Sequence, residues 1–172
     1  MPKVDQLVNN FAVYEDAVDY IGIAEVEFPE LAWLVEEIKG AGLSGNVEAV
    51  VIGHLEAMTV KFSFRTVTPA AVKMNEPRIH SLDCRVSQQG YNSNKGAHKQ
   101  EAIKHILRTM PKKLTVGKAA VASPADASGE HTVYYYAIFR DGKKETEIDP
   151  VNFICMINGT DYLAEVRKAL GK

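Results

Sequence analysis

"MTVKFSFRTV", residues 58–67, puts Met58, Val60, Phe62 and Phe64 on one side of an extended chain and Thr59, Lys61, Ser63 and Arg65 on the other. A period of two is the mark of an antiparallel strand with one buried face and one face left to solvent or a partner. In "AEVEFPEL" (24–31), Ala24, Val26 and Phe28 alternate with Glu25 and Glu27 in the same way. "HTVYYYAIFR" (131–140), rich in aromatic and β-branched residues, ends at Asp141-Gly142, a hairpin signal leading into "KKETEI". "VNFICMI" (151–157) closes on the similar pair Asn158-Gly159. These patterns predict a mainly β chain.

Helical signals are fewer. Thr68 followed by Pro69 gives an N-cap and a first helical position, so a short helix is predicted after Thr68. "TDYLAEVRKALGK" offers Thr160 or Asp161 as cap, Leu163, Val166, Ala169 and Leu170 at helical spacing, and Gly171 just past the end; it predicts a C-terminal helix over about 161–170. "LAWLVEEI" (31–38) and "QEAIKHILRTM" (100–110) also match helical spacing and, by periodicity alone, predict two more helices. "QQGYNSNKGAHK" (88–99) reads as a long exposed loop at a hairpin tip.

A chain of 172 residues with 46% apolar and 24% charged residues can bury about 70% of its extended-chain surface, enough for one domain with its own core. With no leader-like opening and no run of eighteen apolar residues, the sequence implies a cytoplasmic chain. Cys84 and Cys155 lack metal-binding spacing and read as buried reduced thiols. The net charge is only −2 but strongly segregated: residues 1–60 carry eleven acids against two lysines, and residues 61–118 carry twelve bases against three acids. Such segregation suits either strands that pair inside one molecule or head-to-tail contact between copies.

Gly40, Gly42 and Gly45 in "IKGAGLSGN" (38–46) have the G-x-G-x-x-G spacing of a dinucleotide cradle. The context fails, because the glycines follow an acidic amphipathic segment and precede an extended one, and no acid stands about 20 residues past the first. The glycines instead suit positive φ or close chain approach in an exposed connection. His80 and Cys84 lack a second ligand pair, and His98 and His105 flank a basic run and read as solvated. Lys112 and Lys113 belong to a basic stretch without interleaved aromatics, so a solvated face or a protein contact fits better than nucleic acid. No catalytic, cofactor or metal site is expected.

The runs "NFAVY" (10–14), "GIAEVEFPEL" (22–31), "EEIKGAGLSG" (36–45), "GHLEAMTVKFSFRTVT" (53–68), "HSLDCR" (80–85), "MPKKLTVGK" (110–118) and "IDPVNFICMINGTDYLAEVRKALG" (148–171) resemble the major tail tube protein family of contractile-tailed bacteriophages. The likeness covers essentially the whole chain. It implies a structural protein of one domain over 1–172: two packed antiparallel sheets or a distorted β-barrel, as in the tube of type VI secretion, with a hairpin protruding at about 31–53. It further implies that 31–40 and 99–110 are extended, against their local periodicity. The implied function is a hexameric ring, stacked into the inner tube of a contractile tail; a headless phage-tail-like bacteriocin or, more remotely, a β-barrel nucleic-acid-binding module are the alternatives. The implied partners are further copies of the chain, the sheath, baseplate or initiator proteins, the tape-measure protein and the tail terminator, with genomic DNA as passing cargo. The tube would belong to the virion and be assembled in the host cytoplasm. In the resemblance the hairpin contributes contacts between subunits, which points to Glu36, Glu37, Lys39, Gly40, Gly42, Gly45 and Asn46, and the charge segregation adds Lys112 and Lys113.

Overall fold

The computed structural model describes residues 3–40 and 42–172. The chain runs β1 (Lys3–Glu15), β2 (Asp19–Ile21), β3 (Glu25–Glu27), β4 (Trp33–Ile38), β5 (Val47–Leu55), β6 (Thr59–Phe64), α1 (Pro69–Lys73), β7 (His80–Asn92), β8 (Ala97–Thr115), β9 (Ala127–Arg140), β10 (Lys143–Asp149), β11 (Ile154–Ile157), β12 (Thr160–Asp161) and α2 (Ala164–Ala169). Ten strands form one antiparallel sheet along β12-β11-β10-β9-β8-β7-β1-β2, which branches at β9. Tyr136–Arg140 of β9 pair with β10, whereas Ala127–Thr132 pair with β6, and β6 holds β3 on its other side.

The branch makes two layers. Met58, Val60, Phe62 and Phe64, read from the alternation as one face, are all buried, and they share a cluster with Val13 of β1, Leu82 and Cys84 of β7, Leu107 of β8 and Ile148 of β10. Phe62 is 1% exposed, so its removal to alanine would cost about 3–5 kcal/mol. The layers do not close into a barrel: β2, β3 and β12 each end a ladder among the described residues. Of the two architectures implied by the resemblance, packed antiparallel sheets describe the molecule.

Both dipeptide turns form as their residues dictate. Asp141 and Gly142 have φ of 45° and 82°, and Asn158 and Gly159 have 50° and 81°, the left-handed pairs that a two-residue hairpin requires. Thr68 caps α1 by accepting the Ala71 N–H at 3.1 Å, and Ala71 is the residue the helix buries.

Local periodicity fails at two strands. Residues 33–38 form β4 and 97–115 form β8, as the resemblance implies and the helical spacing does not. In β8, Leu107 is buried on one face while half-buried Ile106 points to the other, so apolar spacing that mimics a helix fills two faces of a strand. The expected loop at 88–99 is also mostly strand: β7 and β8 stay in register from Gln88↔Glu101 to Asn92↔Ala97, leaving four residues for the turn. The C-terminal helix is shorter than the expected 161–170, because Thr160 and Asp161 are taken by pairing with Ile157 and Met156. Asp161 still serves the helix start, accepting the Leu163 N–H at 3.0 Å and holding Arg167 with its other oxygen. His105 is not solvated; its ring stacks on Phe28 with centroids 3.8 Å apart and its Nδ1 meets the Tyr136 hydroxyl at 2.9 Å.

Candidate assembly surfaces

The hairpin is a sheet to itself. Strands β4 and β5 pair only with each other, in the register Val35↔Val50, Glu36↔Ala49, Glu37↔Glu48 and Ile38↔Val47. Leu34, Val35, Ile38, Val47, Val50, Val51 and Ile52 are all exposed, although they alternate over both faces of the ribbon. A two-stranded ribbon has little independent stability in water, and this one presents apolar side chains on each side. Glu37 and Glu48 stand directly opposite, a like-charge pair that disfavours the bare ladder. Lys39 relieves it in part with an exposed contact to Glu37 at 2.8 Å, a pairing worth little in water.

Glu36, Glu37, Lys39, Gly40, Gly42, Gly45 and Asn46 are brought together at this exposed end of the ribbon. The three glycines differ. Gly42 adopts φ of 101°, where a side chain is strained, whereas the space where Cβ atoms of Gly40 and Gly45 would stand is open and neither has positive φ. Only Gly42 therefore meets the conformational expectation within one chain.

The ribbon is seated at its base. Between the Trp33↔Leu55 and Val35↔Val50 pairs the register slips, and Gly53 lies in the slip with φ of 77°. A Cβ there would overlap the side chain of Leu163, which is buried just before α2. Around this contact Ile52, Ile148, Phe153, Leu163 and Val166 line an apolar groove of about 200 Å³. Gly53 escaped the sequence reading because "VVIGHL" reads as an uninterrupted strand; a glycine inside such a run is the available signal of a bulge or a close approach.

Lys112 and Lys113 lie elsewhere, on the end of β8, and both are exposed. Here β8 pairs with β9 alone, since its ladder with β7 ends at His80↔Thr109. The outer face of this region is polar. Directly opposed residues across β3, β6, β9 and β8 are Glu27↔Lys61, Lys61↔Glu130 and Lys113↔Glu130. Lys61 reaches Glu27 at 3.1 Å, and that hydrogen bond raises the lysine pKa.

Part of the charge segregation is resolved inside the chain. Glu15 is 1% exposed and is held by Arg78 at 2.5 Å, His80 at 2.7 Å and Lys73 at 3.0 Å, with Lys73 also on Asp19 at 3.1 Å. Burial would raise the Glu15 carboxyl, but hydrogen bonds from His80, Lys73 and Arg78 outweigh it and lower the pKa to about 2. His80 has the Glu15 carboxylate on Nδ1 and the Glu76 carbonyl on Nε2, two acceptors that an imidazolium satisfies with both N–H groups. This knot ties β1, α1 and β7 together. Cys84 and Cys155 are buried free thiols, and burial followed by the Asp83 charge pushes Cys84 up to about 12.

Comparison with known proteins agrees with this picture. Residues 5–171 match the family model described as phage tail tube protein FII. The tail tube protein of Escherichia phage P2 is 22% identical over 99% of this chain and 98% of its own length. Among solved structures, the sheath/tube terminator of an extracellular contractile injection system aligns with TM-score 0.54 and 11% identity over 78% of this chain and 96% of its own. A tube-bearing sheath–tube complex of that system aligns with TM-score 0.49 and 14% identity over 76% of this chain and 88% of the other. The family match spans nearly every residue, and the fold it accompanies is the branched antiparallel sheet seen here: the chain belongs to the phage tail tube protein FII family, whose members are structural subunits and not enzymes.

Proposed function

We infer that the chain forms hexameric rings that stack into the rigid inner tube of a contractile phage tail, enclosed by a sheath and open for DNA along its axis. The observation that carries this reading is the family match over residues 5–171, joined to a hairpin that leaves apolar residues exposed on both faces. A ribbon of that kind gains its cover from neighbouring subunits, which makes Glu36, Glu37, Lys39, Gly40, Gly42, Gly45 and Asn46 interface positions. Lys112 and Lys113 form a second contact region. The other partners in this reading are the sheath, the baseplate or initiator proteins, the tape-measure protein and the tail terminator. The site of action is the virion tail, with assembly in the host cytoplasm.

A headless contractile particle is the second reading, favoured by the fold-level likeness to a component of an extracellular contractile injection system. It uses the same tube without DNA. Negative-stain microscopy of the purified chain, with and without tail initiation proteins, tests the common core of both: sixfold rings or tubes support it, and a persistent monomer under both conditions overturns it. Capsid genes beside the coding sequence separate the two readings.

A further inference from the structure

The segment that follows α1 is held to the sheet by polar contacts that converge on two buried histidine rings. His80 and His131 stand with ring centroids 5.7 Å apart. His80 meets Glu15 Oε1 through Nδ1 at 2.7 Å and the Glu76 carbonyl through Nε2 at 3.0 Å. Neither partner has a proton to give: Glu15 is the carboxylate that Arg78 and Lys73 also hold, and a carbonyl only accepts. Two acceptors on one ring require an imidazolium. His131 differs, because its Nδ1 lies 3.0 Å from the Thr109 hydroxyl, which can donate, while the ring itself donates to the Met74 backbone. A neutral ring satisfies both of those contacts.

Two neighbouring points of the chain are thus tied by rings in different protonation states, Met74 by a neutral one and Glu76 by a charged one. Taking one proton from His80 breaks only the second tie. The proton that leaves is the one on Nε2, because a bare Nδ1 would turn its lone pair on the Glu15 carboxylate, which its hydrogen bonds keep ionised down to about pH 2. A bare Nε2 then faces the Glu76 carbonyl, acceptor against acceptor. Residues 75–77 and Ile79 are exposed, so packing does little to oppose their release.

We propose that residues 75–79 form a proton-operated latch, closed while His80 carries both ring protons and opened as rising pH removes the one on Nε2. α1 itself stays in place: Thr68 caps it, Ala71 and Met74 are buried, and His131 keeps its bond to Met74. The charged groups around the switch are Glu15 of β1, Lys73 of α1, Glu76 and Arg78 of the latch and His131 of β9, with Asp19 of β2 reached through Lys73. Glu15 favours the imidazolium, and the two cations on Glu15 oppose it. The hold of His80 on Glu76 is therefore complete at low pH and is lost as pH rises. The device belongs to the single subunit and stands apart from the ring reading.

Hydrogen exchange of the full-length chain, read by mass spectrometry from about pH 6 to about 10, tests this. Slow exchange at the ring C2 position follows the His80 proton. Backbone exchange in peptides covering residues 75–79, corrected for its intrinsic rise with pH, follows the latch. Opening is expected to grow roughly ten- to a hundredfold across the His80 transition, the worth of one hydrogen bond to a charged group, while peptides of β9 stay protected. Lys73→Met removes a cation beside Glu15 and is expected to move both curves together to higher pH. His80→Gln, which has no titrating proton, is expected to make opening independent of pH; if that variant does not fold, Lys73→Met decides. Opening that ignores the His80 transition, curves that Lys73→Met moves apart, or a His80 ring with a single proton throughout the range overturns the latch.

Discussion

Gly53 and Leu163 occupy each other's space: the leucine side chain sits where a Cβ on residue 53 would have to be. The contact joins the base of the hairpin to the turn before the C-terminal helix. It also explains why the strand slips at that point, since φ of 77° and the missing side chain are needed together. Gly53→Ala should therefore lower stability by about 1–3 kcal/mol through strain and overlap, read as a fall in the urea midpoint. Leu163→Ala should cost about 2–4 kcal/mol and loosen the hairpin, read as faster amide exchange in β4 and β5 with β9 still protected.

Acid should destabilise the fold in two steps. Burial lowers the pKa of His105 to about 4, and burial with the neighbouring His80 lowers that of His131 to about 4. Unfolded imidazoles bind protons near 6.5 and these two do not, so stability falls as pH drops from 6.5 towards 4. Glu15 acts lower down. Its contribution is complete above 4.5 and is lost as pH falls to about 2. Urea midpoints from pH 8 to 2 should show both declines, and Glu15→Gln should weaken the fold at pH 7 and flatten the lower one.

Reversing both lysines, Lys112→Glu with Lys113→Glu, should raise the concentration needed for assembly by about tenfold at ~0.1 M salt. The monomer fold should lose no more than about 1 kcal/mol, because both side chains are exposed although Lys113→Glu sets a second acid opposite Glu130. Sedimentation at increasing ionic strength checks the cause, since screening should narrow the gap between variant and wild type.

Cys84 should ignore thiol reagents while the chain is folded. It is fully buried and its thiol is held in the protonated form. Titration with a chromogenic disulfide at pH 8 should give slow labelling that accelerates to completion in denaturant.

How much of this was legible in the sequence depended on whether one strand face was dry. The run at 58–67 announced itself because Val60, Phe62 and Phe64 all enter the core and Lys61 does not. The turns at 141–142 and 158–159 were equally plain, since few residues accept two successive left-handed conformations. β4 and β8 misled because their apolar residues divide between two faces; those of β4 stay exposed in its ribbon, and the face of β8 that is covered depends on strands far away in sequence. The hairpin glycines could be freed from a phosphate-binding reading by context alone. The seat at Gly53 could not be found that way, because Leu163 lies 110 positions further along the chain.

The branch at β9 also sets an order of events during synthesis. β6 and the end of β8 are held by opposite sides of the same strand, and β9 starts at residue 127. Until that strand has left the ribosome, β6 has no anchor on one side and β8 no register at its end. Both are contacts between distant positions, which close slowly compared with local turns. A partly made chain thus lacks finished sheet edges, and these are completed only when β9 has been added.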